Sequence, residues 1–299
     1  MKPDTRSFYQ QVVERVVDHL RTHLDDAPEL GALAAMANLS PYHFHRIFRG
    51  MAGETALEML RRLRLERAAW RLRTSQASVT MIAFEAGFET HEAFTRAFRA
   101  NFGTPPSEFR RLPNGQAILA APSGIHFRVG SEVDVFIPLE TGVFTMPLAV
   151  EQFPATRLAT VRHHGPYNQI GAAFGRLSAI AGPAGLFAQP NALVVAIYHD
   201  DPESKAIEEL QSDAAVSIGD DVPMPDGLHE STIPAGRYAC WSHIGPFEGL
   251  GDAWTRFMGQ AIPAEGLRVA PGPTFEVYRS DMRTTPKEQL RTDLYVPIE

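Results

Sequence analysis

One cysteine in 299 residues, Cys240, rules out an intrachain disulfide and leaves no set of thiolates for a metal cluster. No run approaches the roughly 18 apolar residues that a membrane span needs, although 44% of the residues are hydrophobic. Met1-Lys2-Pro3-Asp4 leads into a charged segment rather than an apolar one, so no secretory leader is expected. These absences point to a cytoplasmic protein without membrane contact. Positive charge is also lacking overall: the net charge of −7, taken as an average, argues against nucleic acid.

The average conceals two halves. Residues 1–112 hold 16 Lys+Arg and 13 Asp+Glu, a net of +3; residues 113–299 hold the remaining 12 and 22, a net of −10. A mildly basic front and an acidic back suggest different partners for each, and the length itself favours more than one domain. Basic residues cluster in RRLRLERAAWRLR at 61–73, which reads either as a solvated helix face or as a phosphate-contacting one.

The front half has helical periodicity. Phe8, Val12, Val13, Val16, Val17 and Leu20 predict an opening amphipathic helix. In LGALAAMANLSPYHFHRIFRGMAG, Leu33, Ala34 and Ala37 suit a short helix crossed closely by a second one. Asn38-Leu39 make a turn, Ser40 caps the next helix, and Pro41 takes its first position. Phe44, Ile47 and Phe48 supply one apolar face, completing a helix-turn-helix pattern. The pattern returns: Ile82, Ala83, Ala86, Gly87 and Phe88 match Leu33 to Leu39 at an offset of 49, and Phe94, Arg96, Phe98 and Arg99 match Phe44 to Arg49 at an offset of 50. Between the copies, Glu54–Thr74 predicts a helix of roughly 30 Å. That is close to one turn of B-DNA, so two recognition helices can read successive major-groove segments.

Residues 8–111 closely resemble the DNA-binding domain of AraC/XylS-type transcription regulators, most specifically through EAGFETHEAFTRAFRANFGTPPSEFRR at 85–111. The resemblance implies recognition helices near 41–50 and 90–100, with Tyr42, His45 and Arg46 in the first and His91, Glu92 and Arg96 in the second facing base edges. Arg46 and Arg96 can reach guanine, and Glu92 can accept from cytosine; His45 and His91 have the alternative of being plain surface residues. Ser40, Arg49, Thr95 and Arg99 suit phosphates, which set register rather than sequence. Commoner members of that family carry the DNA-binding domain at the C-terminus; here it stands first, so the sensor must follow it.

Residues 113–147 carry the turn signals PNGQ, APSG and ETG and are read as a linker, with VDVFIPL and VFTMPL as possible strands. Behind it, residues 153–218 overlay 233–298 without a gap. Pro154, Arg157, His163, Gly165, Pro166, Tyr167, Phe174, Tyr198 and Asp213 meet Pro234, Arg237, His243, Gly245, Pro246, Phe247, Trp254, Tyr278 and Asp293, a constant offset of 80 that marks a duplication. Each copy reads strand, Gly-Pro turn, helix, strand, strand, with proline as the first helical residue. The expected fold is multi-domain: an all-α double helix-turn-helix domain over 1–112, then an α+β domain over 148–299. In that second domain two strand-helix-strand-strand repeats form an antiparallel sheet with helices on one side. A ligand would occupy the opposite side or the groove between the repeats.

This half resembles the GyrI-like effector-binding domain in HHGPY, HIGPF, YHDDP, PTFEVYRSD and LRTDLYVPI, and the order of the two halves is that of Rob-like regulators. The resemblance implies an effector site at Glu276, whose repeat mate is Ala196. Strand alternation puts Glu276 and Tyr278 on one face and Phe275 and Val277 on the other, where they would pack under the helices. Tyr295 is expected on the Glu276 face, and Trp241, Trp254, Phe247 and Tyr167 are further aromatic candidates. A glutamate among aromatics suits a lipophilic cation. The alternatives are a surface glutamate or one paired with Arg279.

Taken together these features predict a transcription regulator that binds double-stranded DNA and senses a small molecule, with a change in contacts with RNA polymerase on occupancy as an alternative output. Two other readings of the rear domain remain: a hydrolase acting on an electrophilic ligand, and a protein-interaction module. No nucleophile–base pair, metal site or cofactor is expected. His163 and His164 alternate across a strand, which does not suit shared metal ligation, and His163 and His243 are expected to hydrogen-bond within their turns.

Overall fold

The computed structural model describes residues 5–112, 118–130, 134–139, 148–200 and 205–299. The described residues form two compact units, one from 10–37 and 48–140, the other from 1–9, 38–47 and 141–299.

Among the described residues seven helices come first: α1 (Thr5–Thr22), α2 (Leu30–Met36), α3 (Pro41–Ala52), α4 (Ala56–Thr74), α5 (Val79–Glu85), α6 (His91–Phe102) and α7 (Pro106–Phe109). Shifting α2 by 49 residues gives α5, and shifting α3 by 50 gives α6, so the inserted residue falls in the turn. Asn38 and Gly87 hold that turn in the left-handed region, with φ of 53° and 80°. Glycine and asparagine tolerate that conformation best, and at Gly87 a Cβ would stand 2.6 Å from Arg64 Nη1. Ser40 caps α3 through the His43 amide, and Thr90 caps α6 through the Ala93 amide. Thr55 and Glu58 form a reciprocal capping box at the start of α4.

The α4 helix is buried on most of its surface, and Leu65, Ala68, Ala69 and Leu72 form one apolar cluster with Ile82, Ala83, Phe94, Phe98 and Phe109. Its arginines follow neither of the two readings of the basic run. Arg62 is buried, donating to Glu54 (2.6 and 3.0 Å), Glu66 and the Ile125 carbonyl. Arg64 donates to the Leu24 and Asp26 carbonyls, and Arg67 to the Glu85 carbonyl. Most of the run therefore joins loops to the central helix, leaving Arg61 and Arg73 exposed.

The described part of 113–147 is also anchored. Glu66 accepts from the Leu119 and Phe127 amides at 3.0 and 2.8 Å, and the Leu139 amide donates to the Met51 carbonyl. APSG makes its turn, with Gly124 N–H donating to Ala121. The strand expected at VDVFIPL is not formed over 134–139, because backbone groups here bond to helices and to a turn rather than to a neighbouring strand. PNGQ, ETG and residues 143–147 of VFTMPL lie outside the described residues.

The second unit contains one antiparallel sheet of β1 (Ala149–Phe153), β2 (Thr156–His164), β3 (Val194–Tyr198), β4 (Gln211–Ser217), β5 (His229–Ile233), β6 (Gly236–Ile244), β7 (Thr274–Tyr278) and β8 (Arg291–Pro297). Their order is β1-β6-β8-β7-β3-β4-β2-β5. Under the 80-residue shift each half of that order maps onto the other, so a pseudo-twofold axis passes between β7 and β3. Each repeat has one more strand than its sequence suggested, and the extra strands are exchanged: β1 pairs with β6 and β5 with β2.

Helix α8 (Gly171–Ala181) and its mate α9 (Leu250–Arg256) follow β2 and β6; α9 runs on through a wider turn at Phe257–Ala261. The prolines differ from expectation. Pro166 and Pro246 are extended and precede a short 3₁₀ turn, so the α-helices begin several residues later. Ala173, Leu177 and Ala181 of α8 pack on Ala159, Ala196, Ala214 and Val216 of the sheet. The other face is a separate apolar cluster, with Phe153 of edge strand β1 and Ile233 of edge strand β5 meeting in it as the sheet curls. Phe275 and Val277 lie in this second cluster, which among the described residues contains no helix residue, and not under the helices as expected.

Candidate functional site

Repeat mates Ala196 and Glu276 are directly paired across the β3–β7 seam. The glutamate therefore lies on the pseudo-twofold axis, where two identical residues would oppose each other and a single carboxylate does not. It is 1% exposed. Trp254 Nε1–H of α9 donates to Oε1 at 2.7 Å, and the hydroxyls of Tyr198 and Tyr278, themselves repeat mates, donate to Oε2 at 2.8 and 2.7 Å. Around them Tyr167 packs on Tyr198, while Phe174 and Phe247 meet Tyr278 edge-on at ring separations of 5.4 Å. Burial raises the Glu276 pKa against the pull of these three donors and of the Arg46 charge. Both tyrosines are pushed far above the ordinary phenol range by burial and by the carboxylate.

Of the expected ligand residues, Glu276, Tyr278, Trp254, Phe247 and Tyr167 are brought together. Tyr295 is not: it pairs with Phe275 rather than Glu276 in the ladder and stacks on that ring, 4.9 Å between centroids, on the opposite face. Trp241 shares the Glu276 face but lies on β6, packed on Phe257. Arg279 bonds to Asp293 and Tyr295, which removes the Arg279–Glu276 pairing as a reading. Sequence reasoning missed Tyr198 and Phe174, although both are the 80-residue mates of chosen residues, Tyr278 and Trp254. The two histidines behave as expected, His163 Nε2 bonding to the Pro166 carbonyl and His243 Nε2 to the Pro246 carbonyl, each at 3.1 Å.

The first turns of α3 belong to this same unit. Tyr42 is 7% exposed, with its ring edge-on to Trp254 at 6.4 Å. The Arg46 guanidinium stands 4.8 Å from the Tyr42 centroid and 5.3 Å from that of Trp254, within cation–π range. A cavity of about 300 Å³ opens beside them, lined by Ser40 to His43 on one side and by Tyr198, His199 and Thr274 on the other. Burial lowers the His43 pKa to about 4. His45 is half-buried, whereas Ser40 is exposed with its hydroxyl serving the helix cap. Arg49, further along α3, is exposed.

In α6, Phe94 and Phe98 face the core while Glu92, Arg96 and Arg99 are exposed and His91 is half-buried. One helix face thus carries the donors and acceptors suited to base edges and phosphates. Thr95 departs from expectation, because its hydroxyl is covered and cannot meet a phosphate as placed. Among the described residues no helix is long and apolar enough to cross a membrane.

Residues 146–299 match the family described as a GyrI-like small molecule binding domain, and residues 33–112 match the helix-turn-helix domain family. The right origin-binding protein of Escherichia coli (strain K12) is 30% identical over 136 residues, 46% of this chain and 42% of that protein, so the chain spans less than half of that relative's length. The DNA gyrase inhibitor of Yersinia enterocolitica is 29% identical over 148 residues, 48% of this chain and 91% of that one. Among solved structures, the EcmrR C-terminal domain covers 52% of this chain and 99% of its own, at 18% identity and a TM-score of 0.42.

Proposed function

Because the chain belongs to the GyrI-like small-molecule-binding family and carries a helix-turn-helix domain, we propose that it is a cytoplasmic transcription regulator whose rear domain senses a lipophilic cation. The single observation that carries the ligand half is Glu276: a carboxylate enclosed by aromatic rings on a seam between two repeats, with no cation bonded to its oxygens among the described residues. Ring faces attract a diffuse positive charge, and the carboxylate neutralises it without requiring the ligand to be strongly hydrated. For the DNA half, the exposed Glu92, Arg96 and Arg99 on α6 support base and phosphate contact. Contact with RNA polymerase would then convert occupancy of the duplex into a change in transcription.

Binding rather than turnover is the reading the chemistry favours. The groups bonded to Glu276 are an indole and two phenols held in their neutral form, and none is an activated nucleophile. A ligand should leave unaltered; product released from it, and lost in Glu276→Gln, would move the assignment to a hydrolase. The regulatory reading is tested by measuring affinity for a duplex selected from random sequence, with and without tetraphenylphosphonium, a cation shielded by four aromatic rings. The affinity should change on adding the cation in wild type and stay constant in Glu276→Gln. A cation that binds without altering duplex affinity removes the regulatory role.

A further inference from the structure

Two residues chosen for DNA are occupied elsewhere. Tyr42 and Arg46 of α3 lie in the compact unit of the sheet, against the same Trp254 that holds Glu276. While Tyr42 is buried and Arg46 lies over two rings, neither can reach a base edge. Arg46 is also a cation, and it sits at the aromatic wall of the site proposed for a cationic ligand. Among the described residues its Nε is covered and has no hydrogen-bond partner, and ring faces and the nearby carboxylate charge help to hold it. A covered N–H without an acceptor costs free energy, which weakens the docked arrangement. Access points the same way: Glu276 is enclosed, and the neighbouring cavity has Ser40 to His43 as one of its walls.

We infer that Arg46 and Tyr42 form a built-in surrogate ligand, an autoinhibitory plug that keeps α3 from DNA until a cation takes its place at Trp254. The inference rests on the cation reading of the rear domain and gives that reading a direction. Effector and duplex both require Arg46 to leave the aromatic wall, so each should tighten the other, and the coupling must be reciprocal. An effector of neutral charge would lack the feature by which Arg46 is replaced.

Two measurements on the full chain separate this inference from the reading beneath it. In a chain with Trp70→Phe and Trp241→Phe, Trp254 is the sole tryptophan. Saturating that chain with a selected duplex should shift its emission to longer wavelength and raise its quenching by acrylamide, because Tyr42 and Arg46 have withdrawn. Separately, Arg46→Ala should bind tetraphenylphosphonium more tightly than wild type, by roughly tenfold for a cation–π pair lost from the competitor. Unchanged Trp254 emission and quenching at saturating duplex overturn the plug. Equal phosphonium affinity in the two chains overturns the competition. If neither chain binds phosphonium while Trp254 still responds to duplex, the cation reading fails and the docking of α3 is supported.

Discussion

Glu276 accepts hydrogen bonds from three aromatic side chains and feels the Arg46 charge, yet burial still lifts its pKa above the ordinary glutamate range. A carboxylate with a raised folded-state value adds stability in its protonated form, and that contribution is lost as pH rises through the raised value. Without ligand, wild type should therefore be less stable than Glu276→Gln at pH 7 to 8, and the two should converge near pH 4. Thermal melts across that range would read the gap, on the order of a few °C in Tm at neutral pH. A gap that stays constant with pH would show that Glu276 does not titrate in this range. Asp213 and Asp293, the buried acidic mates on β4 and β8, have the opposite sense. Burial alone would raise them, but hydrogen bonds from His199 and Arg162, and from Arg291, Ser242 and Arg279, hold both below the usual carboxylate range. Asp213 and Asp293 each keep an arginine as a bonded partner, whereas the donors to Glu276 among the described residues are neutral, which suits the proposed role as a ligand's counter-ion.

At the scale of elements, α6 buries Phe94 and Phe98 and leaves Glu92, Arg96 and Arg99 exposed, the face proposed to read DNA. Arg96→Ala should relax preference at one base position, a loss of about 1–3 kcal/mol of discrimination. Equal loss on selected and random duplexes would reassign Arg96 to the backbone. Much at this scale was legible beforehand. The shift from offset 49 to 50 located the turn, helical spacing located the apolar faces, and the 80-residue repeat located strands, helices and the histidine corners. What could not be read depends on pairing between distant segments. Tyr295 stands opposite Phe275 and faces away from Glu276, and alternation along one strand does not say which residue of β8 meets which of β7. The exchange of β1 and β5 was hidden for the same reason, since AVEQF and HESTI share little beyond a closing apolar residue. The arginines of α4 looked like a surface face because spacing alone does not reveal a loop folded over them.

At the scale of the whole molecule, two duplications meet in one chain. A doubled helix-turn-helix suits a periodic partner, DNA, whose grooves repeat along one face. The doubled sheet places two equivalent strands side by side at an axis, and the two facing residues there differ, Ala196 against Glu276, which leaves a single carboxylate at that axis. Symmetry also brings Tyr198 and Tyr278 to the same carboxylate oxygen, which neither repeat could do alone. The central claim, that this carboxylate is the ligand's counter-ion, makes a signed prediction. A bound cation favours ionised Glu276, so tetraphenylphosphonium affinity should rise with pH through the raised pKa of that group in wild type. In Glu276→Gln it should be weaker and independent of pH over the same range. Titrating both chains with the phosphonium at a series of pH values tests this most directly. Equal affinity in the two, or a wild-type affinity that falls as pH rises, would contradict it.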